Sequence, residues 1–180
     1  MTTTNTIKVK MVVCVDEKTQ GDVILELHPE WAPIGVERFV ALVKDDFMTE
    51  CRFHRVIPNF VCQFGISGDP EQYAKWARQK LKDDDVKVSN KRGTMSFATS
   101  GPNARSTQLF INLVDNQGLD SQGFSPIAKV IEGMDLVDKL YSGYNDSNNK
   151  PNQLNAKQFG NEYLIKNFPK LSYVVSAKIL

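Results

Sequence analysis

Short stretches that alternate apolar and polar residues recur along much of the chain, and they constrain its fold more than any other feature. Residues 7–15, 23–27, 108–113 and 171–179 all show this period of two, which is typical of β-strands with one buried face. The polar connection at residues 16–22 contains a glycine, so the first two stretches predict a β-hairpin.

Helical spacing of apolar residues is found in two other segments, 36–43 and 134–140, and Gly143 stands where a left-handed C-cap belongs. Residues 71–81 have a helical composition, whereas the asparagine-rich stretch at 144–160 predicts a long loop. About eight strands, two helices and no regular alternation of strand with helix predict an antiparallel barrel or sandwich rather than a doubly wound sheet.

Length and charge exclude several classes of protein. The 180 residues, with a mass of 20.3 kDa, predict one domain over residues 1–180. The 22 basic and 21 acidic residues nearly balance, and no basic run marks a nucleic-acid partner. No stretch approaches the ~20 apolar residues of a membrane span, and the polar residues 1–6 lack the apolar core of a secretory signal. The three aspartates at 83–85 predict a solvated turn.

The cysteines and histidines indicate neither a disulfide framework nor a metal site. Cys14, Cys51 and Cys62 are odd in number and lie in apolar, strand-like sequence, which predicts buried, reduced thiols in a cytosol-like compartment. His28 and His54 are too few and too distant from these cysteines in sequence to predict a zinc site. We therefore expect a cytoplasmic protein without a bound metal.

One segment, residues 53–65, stands out chemically. It reads Phe-His-Arg-Val-Ile-Pro-Asn-Phe-Val-Cys-Gln-Phe-Gly, and it places Arg55 among strand-forming apolar residues. A cation that cannot lose its proton is costly to desolvate and needs a partner or a function. The nearest acidic residues in sequence, Glu50 and Asp69, lie outside the segment. Taken alone, Arg55 is more typical of a salt-bridged residue at a barrel rim, but it is the first candidate for a functional residue.

Five segments, in the same order along the chain, resemble motifs of the cyclophilin family. These are residues 53–63, 97–103, 106–111, 118–120 and 129–134. The resemblance covers about residues 7–142, and it implies a closed eight-stranded antiparallel barrel capped by two α-helices. It also implies peptidyl-prolyl cis-trans isomerase activity without a metal or cofactor. The expected partners are proline-containing polypeptides, and the expected state is a monomer.

The resemblance also assigns roles to individual residues. Arg55 and Gln63 match the catalytic positions of the family. The positions that match the substrate pocket are Phe60, Val61, Ala98, Thr99, Gln108, Phe110, Leu119 and Phe124. Thr99 replaces an asparagine whose main chain holds the substrate, so only the backbone role carries over. His54 is expected to be structural, because the reaction moves no proton.

The chain also departs from the family pattern near this pocket. Gly118 stands where many members carry a tryptophan, and Phe124 stands where many carry a histidine. Cyclosporin-type ligands depend on that tryptophan, so the resemblance admits such a ligand while Gly118 argues against tight binding. Residues 66–92 are an elaboration of this chain, and we expect them to shape the pocket for residues that precede the proline. Trp76, within that segment, is a candidate replacement for the missing tryptophan.

Three functions are compatible with these observations. The first is an active isomerase that assists protein folding or switches proline-containing proteins. The second is a non-catalytic module or chaperone that binds proline peptides; Arg55 favours the first, because a pure binder needs no group that stabilises a transition state. The third is a small-molecule carrier. The apolar residues that are expected to fill the barrel argue against this third function.

Overall fold

The predicted alternation forms strands throughout. A computed structural model describes residues 6–180, and its strands form one nine-stranded sheet in which every recorded pairing is antiparallel. The strands are β1 (Ile7–Asp16), β2 (Thr19–Leu27), β3 (Cys51–Arg52), β4 (Arg55–Val56), β5 (Val61–Phe64), β6 (Thr94–Phe97), β7 (Leu109–Asn112), β8 (Pro126–Glu132) and β9 (Tyr173–Ile179). The helices are α1 (Pro33–Lys44), α2 (Pro70–Ala77), α3 (Met134–Val137), α4 (Gln153–Phe159) and α5 (Asn161–Asn167). The predicted hairpin is confirmed, because β1 pairs with β2 from Ile7 opposite Leu27 onward.

The sheet is curled, and its two edge strands are neighbours in the chain. The strand order is β3-β9-β1-β2-β8-β6-β7-β5-β4, which makes β3 and β4 the edge strands. Only Phe53 and His54 separate them in the chain, so the edges must lie close together. The prediction of a mainly antiparallel β protein is confirmed, but the closed eight-stranded barrel is wrong in its detail. β3 pairs with β9 while β4 pairs with β5, so the sheet has nine strands and ends in two short edge strands.

The main core lies between this curled sheet and the helices packed on it. Side chains of β1 and β2 that alternate inward are fully buried, as are Phe39 and Leu42 on α1. A second, smaller core lies under α4 and α5. It consists of Ile66, Ala156, Leu164, Phe168 and Leu171, with Tyr73, Tyr144 and Tyr163 packed against it. This second core fixes α4 beside the strands that carry the motif residues.

The prediction of a loop over residues 144–160 is wrong in its second half, and the described chain has five α-helices rather than two. Asn152 caps α4, since its side chain accepts a hydrogen bond from the Asn155 amide at 3.0 Å, and asparagine is a favoured N-cap residue. Gly160 separates α4 from α5 with a φ of +60°. The expected C-cap at Gly143 is also wrong, because α3 already ends at Val137. The helical composition after Asp69 is confirmed in α2, which Asp69 caps.

Asp84 contradicts the expectation of a solvated turn at 83–85. It is only 9 % exposed, and its carboxylate accepts hydrogen bonds from the amides of Ile34 and Gly35 at 3.1 and 2.8 Å. Nη2 of the buried Arg105 lies 3.1 Å from the same carboxylate. Asp84 therefore joins its own loop to the first turn of α1 and to Arg105.

All three cysteines are free, as expected, although Cys14 is only partly buried. Burial raises the pKa of Cys51 and of Cys62 to about 12, so both remain thiols at neutral pH and are poor nucleophiles. Within residues 6–180, no helix is both long and apolar enough to cross a membrane.

Candidate active site

Arg55 lies on the edge strand β4, directly opposite Gln63 on β5. Its Nη1 donates a hydrogen bond to Oε1 of Gln63 at 3.1 Å. The arginine is exposed, so its charge is not desolvated in the way that its apolar neighbours in sequence suggest. It forms no salt bridge in the part of the chain that the structure describes. The guanidinium is therefore oriented by an amide and keeps donors available for a ligand.

A chain of side-chain amides continues from Arg55 across the sheet. Because Oε1 of Gln63 accepts from Arg55, its Nε2 is left to donate, and it does so to Oε1 of Gln108 at 2.7 Å. Nε2 of Gln108 in turn approaches Oε1 of Gln153 at 3.4 Å. Gln63 is only 8 % exposed, so these bonds set its orientation. Sequence reasoning missed Gln153, because it was assigned to a loop without a function.

A pocket of about 200 Å³ opens beside Arg55. Its lining residues are Arg55, Phe60, Val61, Gln63, Ala98, Thr99, Phe110, Leu119 and Phe124. Every residue predicted for the site lines this pocket except Gln108, which lines the adjoining one. Phe110 and Phe124 meet edge to face, with ring centroids 5.5 Å apart. The floor is apolar and one rim carries the guanidinium, so the pocket can hold a small apolar ring beside a hydrogen-bond donor.

The strand register explains why residues from distant parts of the sequence meet here. Gln63 pairs with Phe110 on β7, so both side chains point to the same face of the sheet. The chain turns just after Thr99, whose hydroxyl donates to the Gly101 carbonyl at 2.6 Å. Its side chain is thereby used within the turn, in keeping with the expected main-chain role at this position.

Asp120 lies on the 3-10 helix Gln117–Gln122 and stabilises the remaining wall of the pocket. Burial alone would raise the pKa of Asp120, but hydrogen bonds from Ser89 and Asn90 lower it below its usual value. Asn90 Nδ2 also donates to the Phe124 carbonyl at 2.9 Å. Because Asp120 stays ionised and firmly bonded, Leu119 and Phe124 on either side of it are held in place.

Trp76 does not take the place of the tryptophan that many family members carry where this chain has Gly118. A Cβ at Gly118 would meet no atom within 4 Å, so the position is open. Trp76 lies elsewhere, where its Nε1 donates to Asp45 at 2.7 Å and its ring faces Arg38. It does not line the pocket beside Arg55. The hypothesis that Trp76 replaces the missing tryptophan is therefore wrong.

His54 is buried next to Arg55 and remains neutral at physiological pH. It is 3 % exposed, and within residues 6–180 neither ring nitrogen makes a well-formed hydrogen bond. Burial, followed by the positive charges of Arg55 and Lys157, lowers the pKa of His54 from 6.5 to about 4. A neutral buried imidazole suits the structural role expected for it.

The low pKa of His54 predicts a loss of stability in acid. Because the folded pKa is depressed, the unfolded chain takes up a proton first as the pH falls below about 6.5, and the penalty grows until about pH 4. Between pH 7.5 and 4.5, this residue should therefore cost about 2–3 kcal/mol of unfolding free energy. Urea unfolding at both pH values should show a smaller fall for His54→Gln than for the wild type. Equal falls in the two proteins would contradict the prediction.

Comparison with known proteins identifies the class of protein that this curled sheet and pocket define. The family model for cyclophilin type peptidyl-prolyl cis-trans isomerase/CLD matches residues 12–157. A peptidyl-prolyl cis-trans isomerase of Acinetobacter baylyi is 38% identical over 133 residues, which cover 70% of this chain and 70% of that protein. Peptidyl-prolyl cis-trans isomerase B of Escherichia coli is 33% identical over 129 residues, with coverages of 67% and 78%.

A solved structure agrees in fold. The crystal structure of a cyclophilin type peptidyl-prolyl cis-trans isomerase of Cryptosporidium parvum superposes with a TM-score of 0.71 at 21% identity. The match covers 97% of this chain and 98% of that one. Taken with the family model, these findings show that the chain belongs to the cyclophilin-type peptidyl-prolyl cis-trans isomerase family.

Proposed function

We propose that this chain accelerates rotation about X-Pro peptide bonds in polypeptides, and that residues 1–180 act as one domain. Arg55 carries the proposal, because it is oriented by Gln63 at the rim of a small apolar pocket. A related Cryptosporidium parvum structure was determined in the presence of the dipeptide Ala-Pro, which supports proline-containing segments as partners here. We also propose that the protein is a monomer and that it assists protein folding in the cytoplasm.

The chemistry requires neither a nucleophile nor proton transfer. The amide bond has a rotation barrier of roughly 18–20 kcal/mol because of its partial double-bond character. When the bond twists, conjugation is lost and the prolyl nitrogen regains a lone pair. A donor that meets this lone pair stabilises the twisted state more than either planar state, which is the condition for catalysis.

Arg55 is the proposed donor. Gln63 accepts from one of its amino groups and thereby orients the fork, while other N–H groups can face the prolyl nitrogen. Phe60, Phe110 and Leu119 would surround the pyrrolidine ring and exclude water around the reacting bond. A positioned donor in such a site contributes about 3–4 kcal/mol in other enzymes.

Cyclosporin-type ligands fit this site less well. The open space beside Gly118 offers no side chain to contact such a ligand. Turnover of a proline peptide depends on the other side of the pocket, where Arg55 and Gln63 lie. We therefore expect isomerisation without tight cyclosporin binding.

The test is NMR exchange spectroscopy on a short X-Pro peptide with a catalytic amount of the protein. Uncatalysed exchange takes tens to hundreds of seconds, as an order of magnitude, so cross-peaks between cis and trans forms on a one-second timescale require catalysis. Peptide shifts that titrate without exchange cross-peaks would instead indicate a binding module. Absence of both effects would overturn the proposal.

A further inference from the structure

Two further pockets adjoin the proline pocket, and α4 contributes to both. The α2–α4 pocket has a volume of about 320 Å³ and is lined by Gln63, Tyr73, Ala77, Lys80, Ala98, Thr99, Ser100, Ala104, Ser106, Gln108, Gln153 and Lys157. The β4–α4 pocket has a volume of about 500 Å³ and is lined by His54, Arg55, Ile57, Tyr144, Asn145, Lys150, Pro151, Asn152 and Gln153. The first shares Gln63, Ala98 and Thr99 with the proline pocket, and the second shares Arg55. A peptide seated on the proline pocket therefore has both pockets within reach of its neighbouring residues.

The charged side chains that line these pockets are all positive. Together with the proline pocket they are lined by Arg55, Lys80, Lys150 and Lys157, and no aspartate or glutamate lines any of the three. The chain as a whole is almost neutral, with 22 basic and 21 acidic residues. The local excess is therefore a property of this cleft and not of the composition.

The cations of the cleft carry no salt bridge, whereas five other cations of the described chain do. Lys10, Arg52, Lys75, Arg92 and Arg105 each lie within 4 Å of a carboxylate. None of the four cleft cations has such a partner among the described residues. An unpaired cation in a concave site raises the local concentration of anionic groups.

Lys157 is the best positioned of the four. It projects from α4, whose Ala156 is buried in the second core and whose Gln153 reaches Gln108 of the amide chain. Lys157 is itself partly buried and lines the α2–α4 pocket. The positive charge of Lys157 helps to lower the pKa of His54, the residue that precedes Arg55. Lys80 lines the same pocket and lies just beyond the end of α2.

We propose that this cleft selects proline segments that carry a carboxylate side chain within three residues of the proline, received by Lys80 and Lys157. Consecutive residues of an extended peptide advance by about 3.3 Å. A side chain within three residues of the proline can therefore reach a pocket that shares lining residues with the proline pocket. The inference rests on the proposed isomerase function and adds a substrate class to it.

The test uses peptides that are identical except at one position, which holds Glu, Gln or Lys. In one series this position lies two residues before the proline, and in the other it lies two residues after it. NMR exchange should give kcat/KM in the order Glu, Gln, Lys in at least one series, with a Glu-to-Gln ratio of about five. The ratio should approach one in about 1 M salt, where the Debye length is about 3 Å. Lys80→Glu with Lys157→Glu should reverse the order.

Lys166→Glu is the matched control, because Lys166 is exposed on α5 and lines none of the three pockets. It should keep the wild-type ratio. If the double variant does not fold, Lys157→Gln provides the same readout and should lower the Glu-to-Gln ratio.

Equal kcat/KM values for the three peptides in both series would overturn the inference and leave the isomerase function intact. A preference that persists in Lys80→Glu with Lys157→Glu would also overturn it. If no peptide is isomerised, the proposed function fails, and the affinities of the same peptides from shift titrations then decide the inference. Tighter binding of the Glu peptides would support it, and equal affinities would exclude it.

Discussion

Replacing Arg55 with alanine is expected to lower kcat/KM for an X-Pro peptide by about 10²- to 10³-fold, the loss seen when one positioned donor is removed from other enzymes. The side chain is exposed and its one side-chain hydrogen bond in the structure goes to Gln63. The free energy of unfolding should therefore change by no more than about 0.5 kcal/mol. NMR exchange measures the first effect, and urea unfolding measures the second.

Two further variants separate the charge of Arg55 from its geometry. Arg55→Lys keeps the charge but loses the planar fork that Gln63 orients, so it should recover only part of the activity. Arg78→Ala removes another exposed guanidinium, which lies at the end of α2 and lines none of the pockets around Arg55, and it should leave kcat/KM unchanged. Full activity in Arg55→Ala would mean that Arg55 does not stabilise the twisted bond.

The roles of the site residues come from the resemblance of their motifs to a known family, whereas two contacts at the centre of the site follow from strand geometry. β4 and β5 form a tight hairpin, so the local sequence alone brings Arg55 opposite Gln63. The alternation along β7 likewise indicates that Gln108 and Phe110 share a face, and the register then places Phe110 beside Gln63. These relations follow from the period of two, which any strand imposes.

What could not be predicted depends on contacts between distant segments. Gln153 joins the amide chain through Gln108, which lies 45 residues earlier, and it can do so only because α4 rests on the second core. Asparagine is common in loops and also at helix N-caps, so the composition of residues 144–160 does not distinguish the two. The buried state of Asp84 likewise depends on Gly35, 49 residues away, and nothing in three consecutive aspartates indicates which one is buried.

Asp84→Ala is expected to lower the free energy of unfolding by about 3–5 kcal/mol, because the buried Arg105 then loses the carboxylate 3.1 Å from its Nη2 and keeps only the exposed carboxylate of Asp83, 3.8 Å from its Nε. The change also removes the acceptor for the Ile34 and Gly35 amides at the start of α1. Urea unfolding measures the loss, with Asp85→Ala as control, since Asp85 is exposed. Adding Arg105→Met to Asp84→Ala should restore part of the stability, because it removes the buried charge that the single change leaves poorly paired. Equal losses in Asp84→Ala and Asp85→Ala would show that the buried pair does not support the fold.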